Sequence, residues 1–481
     1  QLSDPDIEKR QAAVDAIARS MDASQLEPLE ASIAGEADPV LLAQKSRLVG
    51  MLNASFAETT EERIAAVEAL SGDLSVDVRA VLNIILSTTE QVALTVPDKA
   101  NVAQVLAVGT DITAEDAYDR LIAAELAPAL ISKSAIREAL IANIADGSVG
   151  GVAVASLDTD DARQMAYDAL AAAGTVAPRV TAQAQADAVA AHTFYLAYDE
   201  PDEAITDATR AALTAIETRV GLSQTVDLGL DALSLASIYF LAAIGLAITF
   251  GVMGVINMAH GEFIMMGAYT GFVVQQFVPD YTVSIIIALP LAFAITFGAG
   301  VAMERLVIRH LYHRPLETLL ATFGISIALQ QLAKNIFGTQ ARPLTSPEWL
   351  DGALVFNDVI AISYIRIAIF VLALIFLALI LFVLKRTRLG LEVRAVTQNP
   401  GMAASMGINP DRINMLTFGL GSGIAGIAGV AIGLYAKVTS EMGADYIVQS
   451  FMTVVVGGVG NVWGTLAGAS LIGFLQKGIE W

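Results

Sequence analysis

The feature that most constrains the fold is a run of 19 residues without a charged side chain, at positions 232–250. An α-helix rises about 1.5 Å per residue, so this run nearly crosses a hydrocarbon core of about 30 Å. Further apolar segments lie at residues 263–277, 284–303, 316–337, 361–384, 413–436 and 446–476. The last is long enough for one helix or two broken halves. The second half of the chain is therefore predicted to be a polytopic α-helical membrane domain.

The charge separates this half from the residues before it. Residues 1–230 hold 15 Lys and Arg against 36 Asp and Glu, whereas residues 231–481 hold 13 of each, so the net charge of −21 belongs to the front. We predict an all-α chain with an acidic soluble domain at residues 1–225 and a transmembrane domain at residues 226–481. Nucleic acid is a poor partner for so acidic a chain. The absence of cysteine excludes thiolate metal sites and cysteine nucleophiles.

A short pattern recurs in the acidic domain. RQAAVDAI from Arg10, RIAAVEAL from Arg63 and RQMAYDAL from Arg163 each place an Arg seven residues before an Ile or Leu. These segments resemble HEAT-like repeats, in which each helical unit buries its apolar face against a neighbour. A solenoid and an irregular helical bundle both fit the spacing. Residues 92–106 and 147–157 are expected to form short strands or extended connectors.

Basic residues give the orientation. They accumulate at residues 304–315 and 385–394, and the positive-inside rule assigns both connections to the cytoplasm. Counting the spans back from residue 304 leaves residue 231 outside, so the acidic domain is expected to be extracytoplasmic, in the periplasm of a double-membrane bacterium. The chain opens at Gln1 without a leader, which fits a cleaved signal peptide, and the membrane domain is expected to lack its last span.

Residues 251–269, GVMGVINMAHGEFIMMGAY, carry Asn257, His260 and Glu262 between two apolar runs. An ionisable side chain at the centre of a membrane helix costs about 2.5–3.5 kcal/mol on insertion scales. The glycines permit a helix break, which is tolerated at membrane depth only against protein or a water-filled cavity. The stretch indicates a solute pathway or gate. The alternative is a polar helix junction at the cytoplasmic surface, with Glu262 capping a helix.

The same stretch resembles the signature of the permease subunits of ABC importers for branched-chain amino acids, amides and urea. Residues 387–409 resemble the cytoplasmic loop that these permeases present to their ATP-binding subunits. The residues that carry this part of the resemblance are Arg394, Asn399, Ala403, Ala404 and Gly407. RAVTQN from Arg394 and TFGLGSGIAGIAG from Thr417 are similar to the urea-transporting branch, which often carries a long extracytoplasmic N-terminal extension.

The resemblance implies the function and the partners. It implies a permease subunit of an inner-membrane importer of urea, paired with a homologous second permease subunit, two ATP-binding subunits and an extracytoplasmic solute-binding protein. A branched-chain amino acid or short-amide permease is the alternative within the family. The alternative outside transport proteins is a membrane-anchored helical scaffold. A scaffold would need only one anchor helix, whereas this chain has seven apolar segments.

Hydrogen bonds must guide a small neutral solute such as urea, so polar residues of the apolar segments are the pathway candidates. They are Asn257, His260, Glu262, Thr322, Ser326, Gln330, Gln449, Thr453 and Asn461. Asn257 and Glu262 rank first, and His260 is expected to bond to backbone instead.

Several chemistries are not expected in this chain. No lysine follows a glycine, so a phosphate-binding G-x-x-x-x-G-K-[ST] loop is absent and ATP must be bound by partner subunits. We therefore expect no enzyme activity and no cofactor. His310 and His313 are predicted to lie at the surface, because two histidines alone make a poor metal site. Glycines four apart, at positions 419 and 423, 429 and 433, and 460, 464 and 468, predict close helix packing. The alternative is a smooth pore wall along which helices slide during transport.

Overall fold

The structure is a computed structural model that describes residues 1–480. These residues divide into two compact units, which we call unit 1 (Gln1–Thr218) and unit 2, beginning at Arg219. Helices predominate in both units, as the sequence predicts.

Unit 1 contains helices and a small sheet. Its helices are α1 (Ile7–Arg19), α2 (Leu26–Ile33), α3 (Pro39–Phe56), α4 (Thr60–Leu70), α5 (Val76–Ile85), α6 (Ala114–Ala123), α7 (Lys133–Ala142), α8 (Asp160–Ala172) and α9 (Ala182–Ala190). Its strands are β1 (Thr88–Ala93), β2 (Val102–Leu106), β3 (Ser148–Val149), β4 (Val152–Ala153) and β5 (Thr193–Tyr198).

The helices that contain the recurring pattern begin in the same way. α1, α4 and α8 start after Asp6, Thr59 and Thr159, and each of these side chains accepts a hydrogen bond from a backbone N–H of the first turn. Such a cap satisfies donors that a helix start leaves free. The acidic and hydroxyl residues before each repeat therefore fix where its helix begins.

The all-α expectation is wrong for unit 1, and a HEAT-like solenoid is not evident. β1, β5 and β2 form an antiparallel sheet in that order, with Thr88 opposite Tyr198. β1 and β2 overlap one of the stretches expected to be extended, but β5 pairs across about a hundred residues, which local patterns do not reveal. Among the helices, α1, α2, α4 and α5 all pack on α3, whereas in a solenoid each unit contacts its neighbours.

A buried ion cluster joins helices of unit 1. Lys45 Nζ lies 2.8 Å from Glu36 Oε2, and Arg10 Nε lies 3.1 Å from the same oxygen. The side chains of Lys45 and Glu36 are each 1% exposed. The hydrogen bond from Lys45, followed by the backbone N–H of Asp38, lowers the pKa of Glu36 to about 2. Glu36 is therefore ionised at neutral pH, and its charge is compensated inside the protein.

Unit 2 is built from ten helices and a hairpin among its described residues. The helices are α10 (Glu203–Met253), which begins in unit 1, α11 (His260–Phe277), α12 (Tyr281–Leu306), α13 (Pro315–Phe337), α14 (Tyr364–Arg386), α15 (Arg388–Gln398), α16 (Pro400–Ser405), α17 (Pro410–Tyr435), α18 (Met442–Gly457) and α19 (Val462–Glu480). The hairpin pairs β6 (Ala353–Val355) with β7 (Ala361–Ser363).

Five of the described helices are long and apolar enough to cross a membrane: α10, α12 with the turn that follows it, α13, α14 and α17. α18 and α19 meet the criterion only together, bent by 120° at their junction. The long segment at residues 446–476 is therefore two broken halves rather than one straight helix. α11 was predicted as a span but is not among the five; twelve of its 18 residues are buried.

Glycines allow α11 to pack closely against α17 and α18. A Cβ built on Gly267 would lie 1.9 Å from Gly426 O, and one built on Gly261 would lie 2.1 Å from Gly443 O. A Cβ on Gly429 would lie 1.9 Å from Ile264 O. Small residues permit such backbone approaches between apolar helices. Among the glycines whose spacing predicts close packing, a Cβ on Gly464 would lie 1.8 Å from Gly457 O and one on Gly468 would lie 2.5 Å from Thr453 O. The prediction is confirmed for these two glycines and for Gly429.

Candidate functional site

The chain breaks its helical path between α10 and α11, at residues 254–259. Gly254 has φ +65, a left-handed conformation that glycine adopts without a steric penalty. Asn257 is 1% exposed, and its Oδ1 accepts from the Ala259 N–H at 3.0 Å. The Met258 N–H donates to Thr322 Oγ1 of α13 at 3.1 Å. Two predicted pathway residues, Asn257 and Thr322, thus hold the broken backbone in place.

Glu262 lies in the first turn of α11 and is 1% exposed. Its Oε1 accepts from Ser326 Oγ at 2.8 Å and from Gln330 Nε2 at 3.0 Å. Ser326 and Gln330 are four residues apart, so they share one face of α13. We call Glu262, Ser326 and Gln330 the Glu262 cluster. The structure brings together three residues that the sequence analysis had chosen separately.

The other carboxylate oxygen, Glu262 Oε2, is buried and has no hydrogen-bond partner. A Cβ built on Gly443, in the first turn of α18, would lie 2.9 Å from it. This oxygen therefore faces a helix N-terminus, where a negative charge is favourable. α11 itself has no side-chain cap. Glu262 is thus buried rather than exposed at a surface, and its carboxylate lies between α13 and the first turn of α18.

His260 is 1% exposed, and its Nε2 lies 2.8 Å from the carbonyl oxygen of Ala242 in α10. Its ring is packed tightly, because a Cβ on Gly245 would lie 3.0 Å from the ring carbon Cε1. This is the backbone contact expected from the sequence. His260 therefore joins α11 to α10.

α18 contributes polar atoms without partners. Gln449 Oε1, Thr453 Oγ1 and Ser450 Oγ are all buried and make no hydrogen bond. Leaving a buried polar group unpaired costs about 1–3 kcal/mol, so such groups are rare in folded proteins and each needs a physical explanation. The sequence analysis selected Gln449 and Thr453 but missed Ser450, although a position three residues before Thr453 lies on the same helix face.

Asn461 is separated from this group. It is exposed, and its Oδ1 accepts from the Gly464 N–H at 3.1 Å at the start of α19. It lines a cavity of about 440 Å³ together with Arg394, Gln398 and Trp463. Asn461 is therefore a helix cap at the junction of α18 and α19, and it does not belong to the Glu262 cluster.

An apolar cavity of about 250 Å³ lies one helical turn beyond the Glu262 cluster. Met265, Met266 and Tyr269 line it from α11, at positions three, four and seven after Glu262. Leu329 and Ala333, which flank Gln330 in sequence and along the helix, line it from α13. Leu291 and Ile295 of α12 complete the lining, and they are 40% and 43% exposed, so the cavity is an open apolar groove between α11, α12 and α13.

The segment predicted to contact ATP-binding subunits forms α15 and α16. Asn399 caps α16 by accepting from the Met402 N–H at 2.9 Å, and Gly407 follows with φ +86. Ala403 is 3% exposed and packs with Val393, Val396 and Ile413. The outer surface of this segment exposes Arg394, Ala404, Met402 and Met406, with the two methionines 62% and 76% exposed.

The described residues contain no group of three or more His, Asp or Glu that could hold a metal ion. His310 and His313 are both exposed.

The architecture is that of a polytopic helical membrane protein with a polar, broken segment in its interior, and comparison with known proteins gives the family. Residues 229–481 match the family model described as the branched-chain amino acid transport system permease component. The chain belongs to this family. No solved structure matches the chain.

Relatives from several organisms match the same half of the chain. The high-affinity branched-chain amino acid transport system permease protein BraD of Pseudomonas aeruginosa is 31% identical over 258 residues, which are 51% of this chain and 83% of BraD. The permease protein LivH of Escherichia coli K12 is 30% identical, with the same coverage. A probable LivH of Methanocaldococcus jannaschii is 26% identical over 50% of this chain and 77% of that protein. Members of the family are permease components, so the chain is a transport component and not an enzyme.

Proposed function

We propose that this chain is the permease subunit of an ABC importer whose solute passes the Glu262 cluster. The observation that carries the proposal is the buried carboxylate of Glu262, held by two donors on Oε1 and left free on Oε2. Burying an unpaired charge is costly, and a scaffold that merely anchors unit 1 would have no use for it. A solute that brings an N–H donor would satisfy the free oxygen.

A branched-chain amino acid is the solute that the family and the relatives favour, as their names indicate. From the sequence alone, a branched-chain amino acid was the alternative to urea. The crevice between α11 and α13 suits such a solute, because its ammonium group can face Glu262 while its aliphatic side chain enters the apolar cavity. The volume of about 250 Å³ is ample for an isobutyl group.

Urea is the second candidate, and one structural observation favours it. The side chains of Ser326 and Gln330, which donate to Glu262, are neutral, which suits urea, because urea needs only hydrogen bonds. The resemblance of RAVTQN from Arg394 to the urea-transporting branch points the same way. Arg342, whose buried Nε has no partner and whose guanidinium lies over the Phe272 ring, could instead meet the carboxylate of an amino acid.

The partners follow from the same proposal. Two ATP-binding subunits would dock on α15 and α16, where the exposed Met402 and Met406 offer apolar contacts and Arg394 a positive charge. A homologous second permease subunit and a solute-binding protein would complete an importer in the bacterial inner membrane. Unit 1 would lie outside this membrane, where its acidic surface suits docking of a binding protein.

The test is uptake by the whole complex reconstituted in proteoliposomes. ATP-dependent uptake of labelled leucine that excess isoleucine suppresses and excess urea does not would support the first solute. Uptake of labelled urea that leucine does not suppress would support the second. Absence of ATP-dependent uptake of either solute would contradict transport through this subunit.

A further inference from the structure

A second buried carboxylate lies near the C-terminal end of α12. Glu304 is 0% exposed, and Tyr312 donates its hydroxyl to Glu304 Oε1. The side chain of Asn414, from the second turn of α17, lies close to the same hydroxyl. Glu304 Oε2 and Asn414 Oδ1 are buried and have no partner. We call Glu304, Tyr312 and Asn414 the Glu304 cluster; the sequence analysis had read residues 304–315 only as a basic connection.

The hydroxyl at the centre of the cluster is a permanent donor. Burial, followed by the hydrogen bond with Glu304, raises the pKa of Tyr312 well above its usual range. Tyr312 therefore keeps its proton and donates it to the carboxylate. With Asn414 beside the hydroxyl, the three side chains connect α17 to the end of α12.

Neighbouring contacts join the same elements. Arg305 Nε lies 3.0 Å from Met415 Sδ, and Arg309 Nη2 lies 3.3 Å from Asp411 Oδ2. The end of α12 and its connection to α13 are thus tied to the first two turns of α17. The pair of Arg309 and Asp411 is partly exposed and contributes little, so the buried polar contact at this end of α12 is the Glu304 cluster.

The cluster stands between the predicted ATPase contact and the solute site. Ile413, next to Asn414, packs with Ala403 of α16 and with α15. On the other side, Thr318 Oγ1 in the first turn of α13 donates to Leu311 O, one residue before Tyr312. α13 then carries Ser326 and Gln330, the two donors on Glu262. A continuous set of contacts therefore runs from α16 to the Glu262 cluster.

A cluster that only held α12 against α17 would not need a buried carboxylate. A buried carboxylate with one unpaired oxygen is expensive, and an apolar contact would fasten the helices at lower cost. Buried polar groups that are only partly satisfied are expected at sites with a function.

We propose that Glu304, Tyr312 and Asn414 are positioning residues that transmit movement of α15 and α16 to α13, and so to the Glu262 cluster. This rests on the proposed function as an importer subunit. The cluster would couple ATP hydrolysis to transport without touching the solute.

The experiment compares Tyr312→Phe, which removes only the hydroxyl, with Tyr281→Phe at the other end of α12. The whole importer is reconstituted in proteoliposomes, and solute uptake and ATP hydrolysis are measured on the same vesicles. We expect Tyr312→Phe to lower the number of solute molecules carried per ATP at least tenfold, with the solute concentration for half-maximal uptake unchanged. Asn414→Ala should act in the same direction, and Tyr281→Phe should stay within twofold of the wild type.

An unchanged ratio in Tyr312→Phe and Asn414→Ala would overturn the proposal. A proportional fall of uptake and hydrolysis, or loss of the assembled complex in both variants, would also overturn it, since either result makes the cluster a folding element only. Failure of the proposed function is a separate result: it is read from the wild-type complex, which would then show no ATP-dependent uptake.

Discussion

Replacing Glu262 by Gln keeps the size of the side chain but removes its charge. Ser326 and Gln330 both donate to Oε1, so the new amide will turn its oxygen toward them. Its NH₂ group then takes the place of the free Oε2. A carboxylate oxygen that accepts from the solute is thereby replaced by a donor that faces another donor.

The expected effect follows from hydrogen-bond energies. A hydrogen bond to a charged group contributes about 1.5–3 kcal/mol, against about 0.5–1.5 kcal/mol for a neutral one. Loss of the charge alone therefore costs about 1–1.5 kcal/mol, which is roughly five- to twelvefold in affinity. The reversed polarity adds to this loss, so the KM for uptake should rise at least tenfold in Glu262→Gln.

The assay is the initial rate of uptake against solute concentration in proteoliposomes with equal amounts of assembled complex. Glu348→Gln is the matched control, because Glu348 is exposed and begins a short turn far along the chain from α11. Its KM should equal that of the wild type. A KM within twofold of the wild type in Glu262→Gln, with an unchanged maximal rate, would refute the assignment of Glu262 to the solute pathway.

Other changes test the packing, the ion cluster and the docking surface. Gly261→Ala should abolish the assembled protein in membranes, because its Cβ would lie 2.1 Å from Gly443 O, whereas Gly298→Ala, with nothing within 4 Å, should express normally. The pKa of Glu36 is depressed to about 2, so its stabilising effect is present above about pH 4.5 and is lost as the pH falls toward 2. Hydrogen exchange of residues 29–48, corrected for intrinsic rates, should show more opening at pH 3 than at pH 6, and Glu36→Gln should remove that difference. Met402→Glu should prevent co-purification of the ATP-binding subunits, while Val355→Glu, at an equally exposed apolar position, should not; retained co-purification in Met402→Glu would contradict docking on α16.

Periodicity and length predicted the apolar helices of unit 2 well, because a membrane span is a local property of the sequence. α11 is less apolar than the other long helices, because His260 and Glu262 stand at its start and Gln275 and Gln276 at its end. Its close approach to α17 and α18 through glycines could not be predicted from the segment alone. β5 was missed for a related reason, since its partners Thr88 and Val102 lie about a hundred residues away.

The site was predicted residue by residue rather than as a geometry. Glu262, Ser326 and Gln330 were each selected as polar groups in apolar runs, but their pairing across 64 and 68 residues came only from the structure. The same criterion selected Asn461, which the structure places apart from them as an exposed cap of α19, because a polar residue between two apolar halves is equally suited to cap a helix. Glu304 was overlooked because the arginines around it made the segment resemble a solvated basic loop.

The most direct test of a water-accessible solute path uses the absence of native cysteine in this chain. Ser450→Cys puts a single thiol at a buried, unpartnered polar position of α18. Leu379→Cys puts one on the apolar, exposed surface of α14. In the reconstituted importer, a charged methanethiosulfonate reagent added from the water should modify residue 450 at least tenfold faster than residue 379, and saturating solute should slow that reaction. A thiol at residue 450 that reacts no faster than one at residue 379, with and without ATP, would contradict the pathway.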